Sequence, residues 1–248
     1  MLHRMEGLVI RSFEHGEGNA IVTLLTREGG KIGVMAKGAK KMKSRLTAVT
    51  QLFTHGDYVF FKGSQLGTLN YGEIISAHSA LRTDLNMTAY AAYLAELTDR
   101  ITGEQEAHVF LFEQLSAAFD AIEAGKDAQM IAHFYEMKAL MAAGYAPELN
   151  ACVSCGRDAA AWAFSARLGG TVCPSCRAKD AASVALSPGA LKLLRAFRQL
   201  DLRKLGQIEA KPETRAQLKA TMRSAMDTHL DLRLKSRQFL DQMDKYGL

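Results

Sequence analysis

All four cysteines of the chain fall between residues 152 and 176, as Cys152-Val153-Ser154-Cys155 and Cys173-Pro174-Ser175-Cys176. Two C-x2-C pairs with seventeen residues between them match the spacing of a zinc site. Each C-x2-C turn points two thiolates at one ion, and two such turns complete a tetrahedral S4 shell. Four protein ligands leave no open coordination position, so this Zn2+, one per chain, is expected to be structural rather than catalytic. Gly156 follows the first pair and Gly169-Gly170 precede the second, where glycine permits tight turns. Two disulfides or four free thiols are the competing readings. Disulfides need an oxidising compartment, and Arg4, Glu6, Arg11, Glu14 and Glu17 interrupt any apolar export signal in the first twenty residues.

Other chemistry finds little support. The seven histidines are scattered and form no H-E-x-x-H pattern. His133 and Glu136 share a helical face, which reads as a surface hydrogen bond rather than half a metal site. Gly33 and Gly38 have P-loop spacing, but Ala39-Lys40 stands where the motif needs Lys-Ser/Thr. No G-x-S-x-G elbow or G-x-G-x-x-G fingerprint occurs. The carboxylates Glu96, Asp99, Glu104 and Glu106 read as solvated helix faces. No active site is expected, and the chain reads as a non-enzyme.

The second chemical signal is electrostatic. Lys37-Gly38-Ala39-Lys40-Lys41-Met42-Lys43-Ser44-Arg45 places five cations in nine residues, a loop that attracts phosphate backbones at long range. Net charge is +4 over residues 1–80, −5 over 81–185 and +6 over 186–248. Basic ends around an acidic middle suggest a polyanion partner. No uncharged run reaches the eighteen or so apolar residues that span a bilayer, so a cytoplasmic, membrane-free protein is expected.

The elements that must position these groups follow from periodicity. Residues 1–78 hold strand candidates at Gly7–Phe13, Asn19–Thr26, Lys31–Ala36, Gly56–Lys62 and Gly67–Ser76, separated by glycine-containing turns. Five short strands predict a small barrel, OB-fold or SH3-like, because closure removes exposed edges. Six aromatics near the loop (Phe13, Phe53, Tyr58, Phe60, Phe61, Tyr71) divide between barrel filling and base stacking, with one or two expected to be exposed. From residue 79 the period becomes helical. Helices are predicted from about Leu81 to Gly103, Val109–Ile122, Ala128–Ala143, Ser187 to about Leu202, Pro212–His229 and Leu230–Met243. Trp162 and Phe164, between the cysteine pairs, predict a short hairpin over the metal. The fold class is therefore α+β: a five-stranded barrel domain over 1–78, then a helical domain over 79–248 interrupted by a knuckle at 150–178.

The chain resembles the bacterial RecO family of recombination mediators. The stretches that carry the resemblance are Gly7-Leu8-Val9, Thr26-Arg27-Glu28-Gly29-Gly30-Lys31, Ala36-Lys37-Gly38-Ala39-Lys40-Lys41 and Tyr93-Leu94-Ala95-Glu96-Leu97. Ala143-Gly144-Tyr145-Ala146-Pro147, the cysteine segment, His229-Leu230 and Lys235-Ser236-Arg237 extend it along the whole chain. Asn19 departs from the acidic residue more usual there. The resemblance implies an N-terminal OB-fold, a helical domain with a zinc knuckle, and no turnover. It also implies binding of single- and double-stranded DNA, strand annealing, and work with RecR to load RecA onto DNA coated by single-strand binding protein, in the cytoplasm at the nucleoid.

Barrel and resemblance together give candidate phosphate contacts at Arg11, Arg27, Lys31, Lys37, Lys40, Lys41, Lys43 and Arg45. On the helix after Ser187, Leu193, Leu194, Phe197 and Leu200 form one arc, expected to face the core. Lys192, Arg195 and Arg198 occupy the other side with Leu191 among them. The resemblance implies that the acidic, apolar-ended tail of single-strand binding protein docks on the helical domain, and these cations are the candidate rim. An RNA-binding or transcription-associated zinc module on the same barrel is the alternative reading.

Overall fold

The computed structural model describes residues 1–63, 66–158 and 162–247; residues 159–161 of the expected knuckle lie outside that set. Strands β1 (Leu2–His15), β2 (Asn19–Thr26), β3 (Gly30–Ala36), β4 (His55–Phe61) and β5 (Gly67–Ser76) close into a barrel in the order β1-β2-β3-β5-β4. All neighbours are antiparallel except β3 and β5. This is an OB-type barrel. Val9, Val22, Leu24, Val34, Tyr58 and Phe60 fill it, each fully buried.

Closure falls to β1, which pairs with β4 through its first half and with β2 through its second. The β1–β2 register shifts between Val9 and Arg11; such a bulge bends a strand and re-aims its side chains. Gly7, Leu8, Val9 and Ile10 are buried in succession rather than alternately. The barrel interior takes one face and helix α1 (Leu85–Ile101) covers the other. Beyond Ile10 the strand emerges, and Arg11, Phe13, Glu14 and His15 are exposed.

The chain forms two compact units, Met1–Ala128 with Leu234–Leu248, and Gln129–Arg233. In the first, α1 and α2 (Val109–Glu123) pack with the barrel, and α6 (Lys235–Tyr246) lies on α1. The second holds most of α3 (Ala128–Ala142), then α4 (Pro188–Gln199) and α5 (Pro212–His229). It also holds a three-stranded sheet, β7-β6-β8, of β6 (Trp162–Ser165), β7 (Gly170–Val172) and β8 (Val184–Leu186). The expected hairpin is thus β6–β7, with β8 added on the other side of β6; a three-residue strand gives no readable alternation. No helix among the described residues is long and apolar enough to cross a membrane.

Helix ends follow local capping where the cap is nearby in sequence. Asp84 accepts a bond from the Met87 amide at 2.8 Å, and Ser187 from the Ala190 amide at 3.2 Å ahead of Pro188. The last helix differs from the expected Leu230–Met243: it begins at Lys235. Its cap comes from another helix. Glu96 on α1 accepts from the Lys235 amide (3.2 Å), the Ser236 amide (2.9 Å) and the Ser236 hydroxyl (2.5 Å). Glu96 is therefore not a solvated carboxylate.

Burial alone would raise the Glu96 carboxyl, but the bonds from Ser236 and Lys235 outweigh it and hold its pKa below the ordinary 4.5. A carboxyl depressed by folding stabilises the fold above its ordinary pKa, and that contribution fades as pH falls through the folded value. Glu96→Ala should cost about 1 kcal/mol, the usual worth of a cap. Amides 236–239 should then exchange faster, and acidification below about pH 4.5 should loosen α6 in the parent but change little more in the variant. Unchanged exchange across α6 would show that the cap does not hold the helix.

Candidate metal centre and nucleic-acid interface

The four cysteine sulfurs lie within 4.8 Å of one another. Cys155 Sγ and Cys173 Sγ are 3.8 Å apart, far beyond a disulfide bond of about 2.05 Å. Four sulfurs about 2.3 Å from a central zinc stand about 3.8 Å apart along each tetrahedral edge. The backbone builds the cradle. The Cys152 amide bonds the Arg157 carbonyl at 3.0 Å and the Gly156 amide bonds the Cys152 carbonyl at 2.7 Å, closing the first turn. Val153 is tied to Thr171, and Thr171 to Glu148, which joins that turn to β7.

Burial opposes ionisation of Cys152, but amide donors from Cys173, Ser154 and Cys155 outweigh it and bring the thiol down to about 6. Cys176 goes the other way. A bond from Ser154 favours its thiolate, yet burial and the three neighbouring sulfurs push it up to about 11. Four thiolates at this separation need a cation among them, and the donor set suits a thiophilic divalent ion.

The basic loop is anchored rather than free. Ala39 and Val49 are buried in the barrel core, the Tyr58 hydroxyl donates to the Val49 carbonyl at 3.0 Å, and Thr47 Oγ1 donates to the Ala39 carbonyl at 2.6 Å. The Lys40 amide bonds the Gly18 carbonyl, and Asn19 Oδ1 accepts from the Gly38 amide at 2.8 Å. Asn19 thus supplies the acceptor that a carboxylate would, so the departure noted in the sequence costs no contact. Lys37, Lys41, Lys43 and Arg45 are exposed and make no ion pair among the described residues, while Lys40 reaches Glu14 at 3.5 Å. Met42 stands between Lys41 and Lys43 at 91 % exposure.

Three other sequence candidates sit elsewhere. Arg27 pairs with Glu113 at 2.5 Å and Glu6 at 3.5 Å. Lys31 meets the Asp99 carboxylate at 3.1 Å and carbonyl at 2.7 Å, and Arg11 meets the same carboxylate at 3.2 Å. Asp99 is 8 % exposed, so it too is no solvated carboxylate. Arg27 and Lys31 thereby hold helices to the barrel, and Arg11 keeps a half-exposed guanidinium.

Of the six aromatics, Phe53, Tyr58 and Phe60 are buried, whereas Phe13, Phe61 and Tyr71 are about half exposed. Phe13 lies opposite Ile21 on the outer β1–β2 surface, two residues from Arg11.

On α4 the wheel needs correction. Leu191 is buried with Ala190, Leu194 and Phe197, and Leu200 is 48 % exposed. A second layer, β8 with Trp162, covers the side of α4 that the wheel assigned to solvent. Between these elements lies a cleft of about 540 Å³ lined by Trp162, Leu186, Leu191 and Leu200, with Lys192 and Arg195 on it. The Arg195 Nε donates to the Leu149 carbonyl at 2.9 Å, which fixes its stem. Arg198 turns to Glu148 at 3.6 Å and does not line the cleft. Sequence reasoning missed the apolar half, since Trp162 and Leu186 come from a strand pair that only the fold brings to α4.

His133 and Glu136 bond at 2.8 Å, as the helical spacing implies, but both are buried, not on the surface. Among the described residues the four cysteines are the only group of metal-ligand geometry.

Comparison with known proteins identifies the family. Residues 1–78 match the family model described as Recombination protein O N terminal, and residues 82–238 match Recombination protein O C terminal. The DNA repair protein RecO of Bacillus subtilis (strain 168) is 45% identical over 98% of this chain and 96% of its own length. That of Bacillus pumilus (strain SAFR-032) is 44% identical over 98% and 95%. That of Listeria innocua serovar 6a is 43% identical over 99% and 96%. With both family models matched in order and such identity over nearly the full length, the chain belongs to the RecO family of DNA repair proteins.

Proposed function

We propose that this chain is a recombination mediator that binds single- and double-stranded DNA, anneals complementary strands and, with RecR, helps load RecA onto DNA coated by single-strand binding protein. The observation that carries this is the anchored loop. An OB-type barrel presents Lys37, Lys41, Lys43 and Arg45 in solvent without acidic partners among the described residues, on a loop bonded to the β1–β2 turn, and β1 carries half-exposed Phe13. Cations that track the backbone plus an aromatic platform are how such barrels hold single strands. Contacts to phosphate are blind to sequence and leave base edges free to pair, which is what annealing requires. Arg27 and Lys31 contribute less, because each would have to give up carboxylate partners.

Replacing Lys40, Lys41, Lys43 and Arg45 together by alanine should weaken binding of single strands of any sequence. Each lost phosphate contact lowers the slope of log affinity against log salt by about 0.7. Salt titrations on poly-dT and on a mixed sequence check this; an unchanged slope places the strand elsewhere. Parallel titration of matched RNA separates this reading from an RNA-binding module, which would prefer RNA.

The metal of the cysteine cluster is zinc, one per chain, held by Cys152, Cys155, Cys173 and Cys176. It ties the turn before β6 to the turn after β7 and takes no part in chemistry. Elemental analysis of the folded protein should find one equivalent. Cys173→Ser should lower the unfolding temperature of the 129–233 unit and leave the barrel transition in place. A folded, zinc-free preparation with four titratable thiols would overturn the assignment.

The cleft on α4 is the site for the tail of single-strand binding protein. Its apolar floor fits a terminal hydrophobic side chain, and Lys192 and Arg195 are placed to pair with carboxylates. Calorimetric titration of a tail peptide should give a Kd at least tenfold weaker for Lys192→Ala/Arg195→Ala than for the parent, the loss of about 1.4 kcal/mol. Equal affinity would move the tail to another surface.

A further inference from the structure

Three clefts in the first compact unit share one residue, Arg11. The largest, about 540 Å³, opens over Thr23, Lys31 and Gly33 and is walled by Lys62 and by Arg100 at the end of α1. A second, about 310 Å³, runs between β1 and α1 from Leu52 to Lys235. A third, about 400 Å³, leads from Arg11 to Phe13. The bulge in β1 turns Arg11 outward at their junction. Buried Asp99 holds it there through one of the guanidinium's nitrogens, and the other donors of that fork remain for a ligand.

The charges in the large cleft are unequal. Asp99 is already engaged by Arg11 and Lys31, and Glu104 is exposed. Lys62 and Arg100 are also exposed and form no ion pair among the described residues. Two exposed cations thus line one concave surface, one from the barrel and one from a helix, and Arg100 also helps hold the pKa of Glu96 down. The basic loop reaches the same stretch of β1, since Lys40 pairs with Glu14 at 3.5 Å, one residue from Phe13 in the third cleft.

We infer that a single strand of nucleic acid leaving the basic loop passes Phe13 and Arg11 and enters this cleft, where Lys62 and Arg100 bind successive phosphates. The inference rests on the DNA-binding reading above and extends its footprint to the end of α1. The cleft, of about 540 Å³, has room for nucleotides of one strand. Asp99 acts as a positioning residue for Arg11. The contacts are to phosphate, so the cleft adds length and salt dependence to binding without adding sequence preference.

The test is fluorescence anisotropy of labelled dT oligonucleotides of increasing length, titrated with salt, on the full chain. Lys62→Ala/Arg100→Ala should lower the salt slope by about 1.4, two contacts at about 0.7 each, and should shorten the oligonucleotide at which affinity levels off. Both side chains are exposed, and thermal unfolding of the variant, with Arg100→Lys as a charge-preserving control, separates lost binding from a weakened α1. If this variant keeps the parental slope while the four-residue loop variant loses its share, the strand does not enter the cleft, and the inference falls while the DNA-binding reading stands. If neither variant changes the slope, both fall.

Discussion

Everything in the first compact unit depends on β1 serving two neighbours. A five-stranded barrel closes only if one strand is long enough to pair on both sides, and β1, at 14 residues, does so. Its bulge is the mechanical consequence. Over residues 7–10 the strand is buried on both faces, between core and α1; after the bulge it emerges with Arg11 and Phe13 toward solvent. The same irregularity that completes the barrel therefore delivers a cation and an aromatic ring to its outer surface.

Acidic residues on α1 carry the next level of organisation. Glu96 caps α6 and Asp99 gathers Arg11 and Lys31, and they lie three residues apart on one face. Two of the stretches that carry the family resemblance, Tyr93–Leu97 and Lys235–Arg237, meet in space through the first of these contacts. A return of the chain from residue 234 to the first unit is held by hydrogen bonds to a single carboxylate, which sets the start of the last helix more firmly than local propensity does.

Four strands were legible because alternation and glycine turns are local signals, and they lie within a residue of their expected positions; β1 was expected at Gly7–Phe13 but begins at Leu2, so the half that pairs with β4 was missed. Helices α2 and α3 were legible for the same reason. What escaped the sequence was tertiary. Asp99 and Arg11 are 88 residues apart and Glu96 and Ser236 are 140 apart, so nothing in a local window tells a paired carboxylate from a solvated one. Leu191 was misread because a helical wheel assumes one core, and α4 has two layers against it. The basic loop could be read from composition, but its anchoring by Ala39 and Asn19 could not.

The cysteine segment illustrates the limit of hydrophobic burial at small size. Its own core is Cys152, Ala163, Val172, Cys173 and Cys176, and three of those five are candidate ligands. Segments this short do not bury enough apolar surface to repay the entropy of ordering their backbone, and they depend on a cross-link. Here the strands β6 and β7 lie between the two ligand pairs, so a bound cation closes the loop that contains them and fixes Trp162 at its mouth. Trp162 in turn lines the cleft on α4. A bound cation would thus support one wall of that cleft without touching it: loss of the ion would release the sheet, and with the sheet that wall, while Lys192 and Arg195 remained on an intact helix.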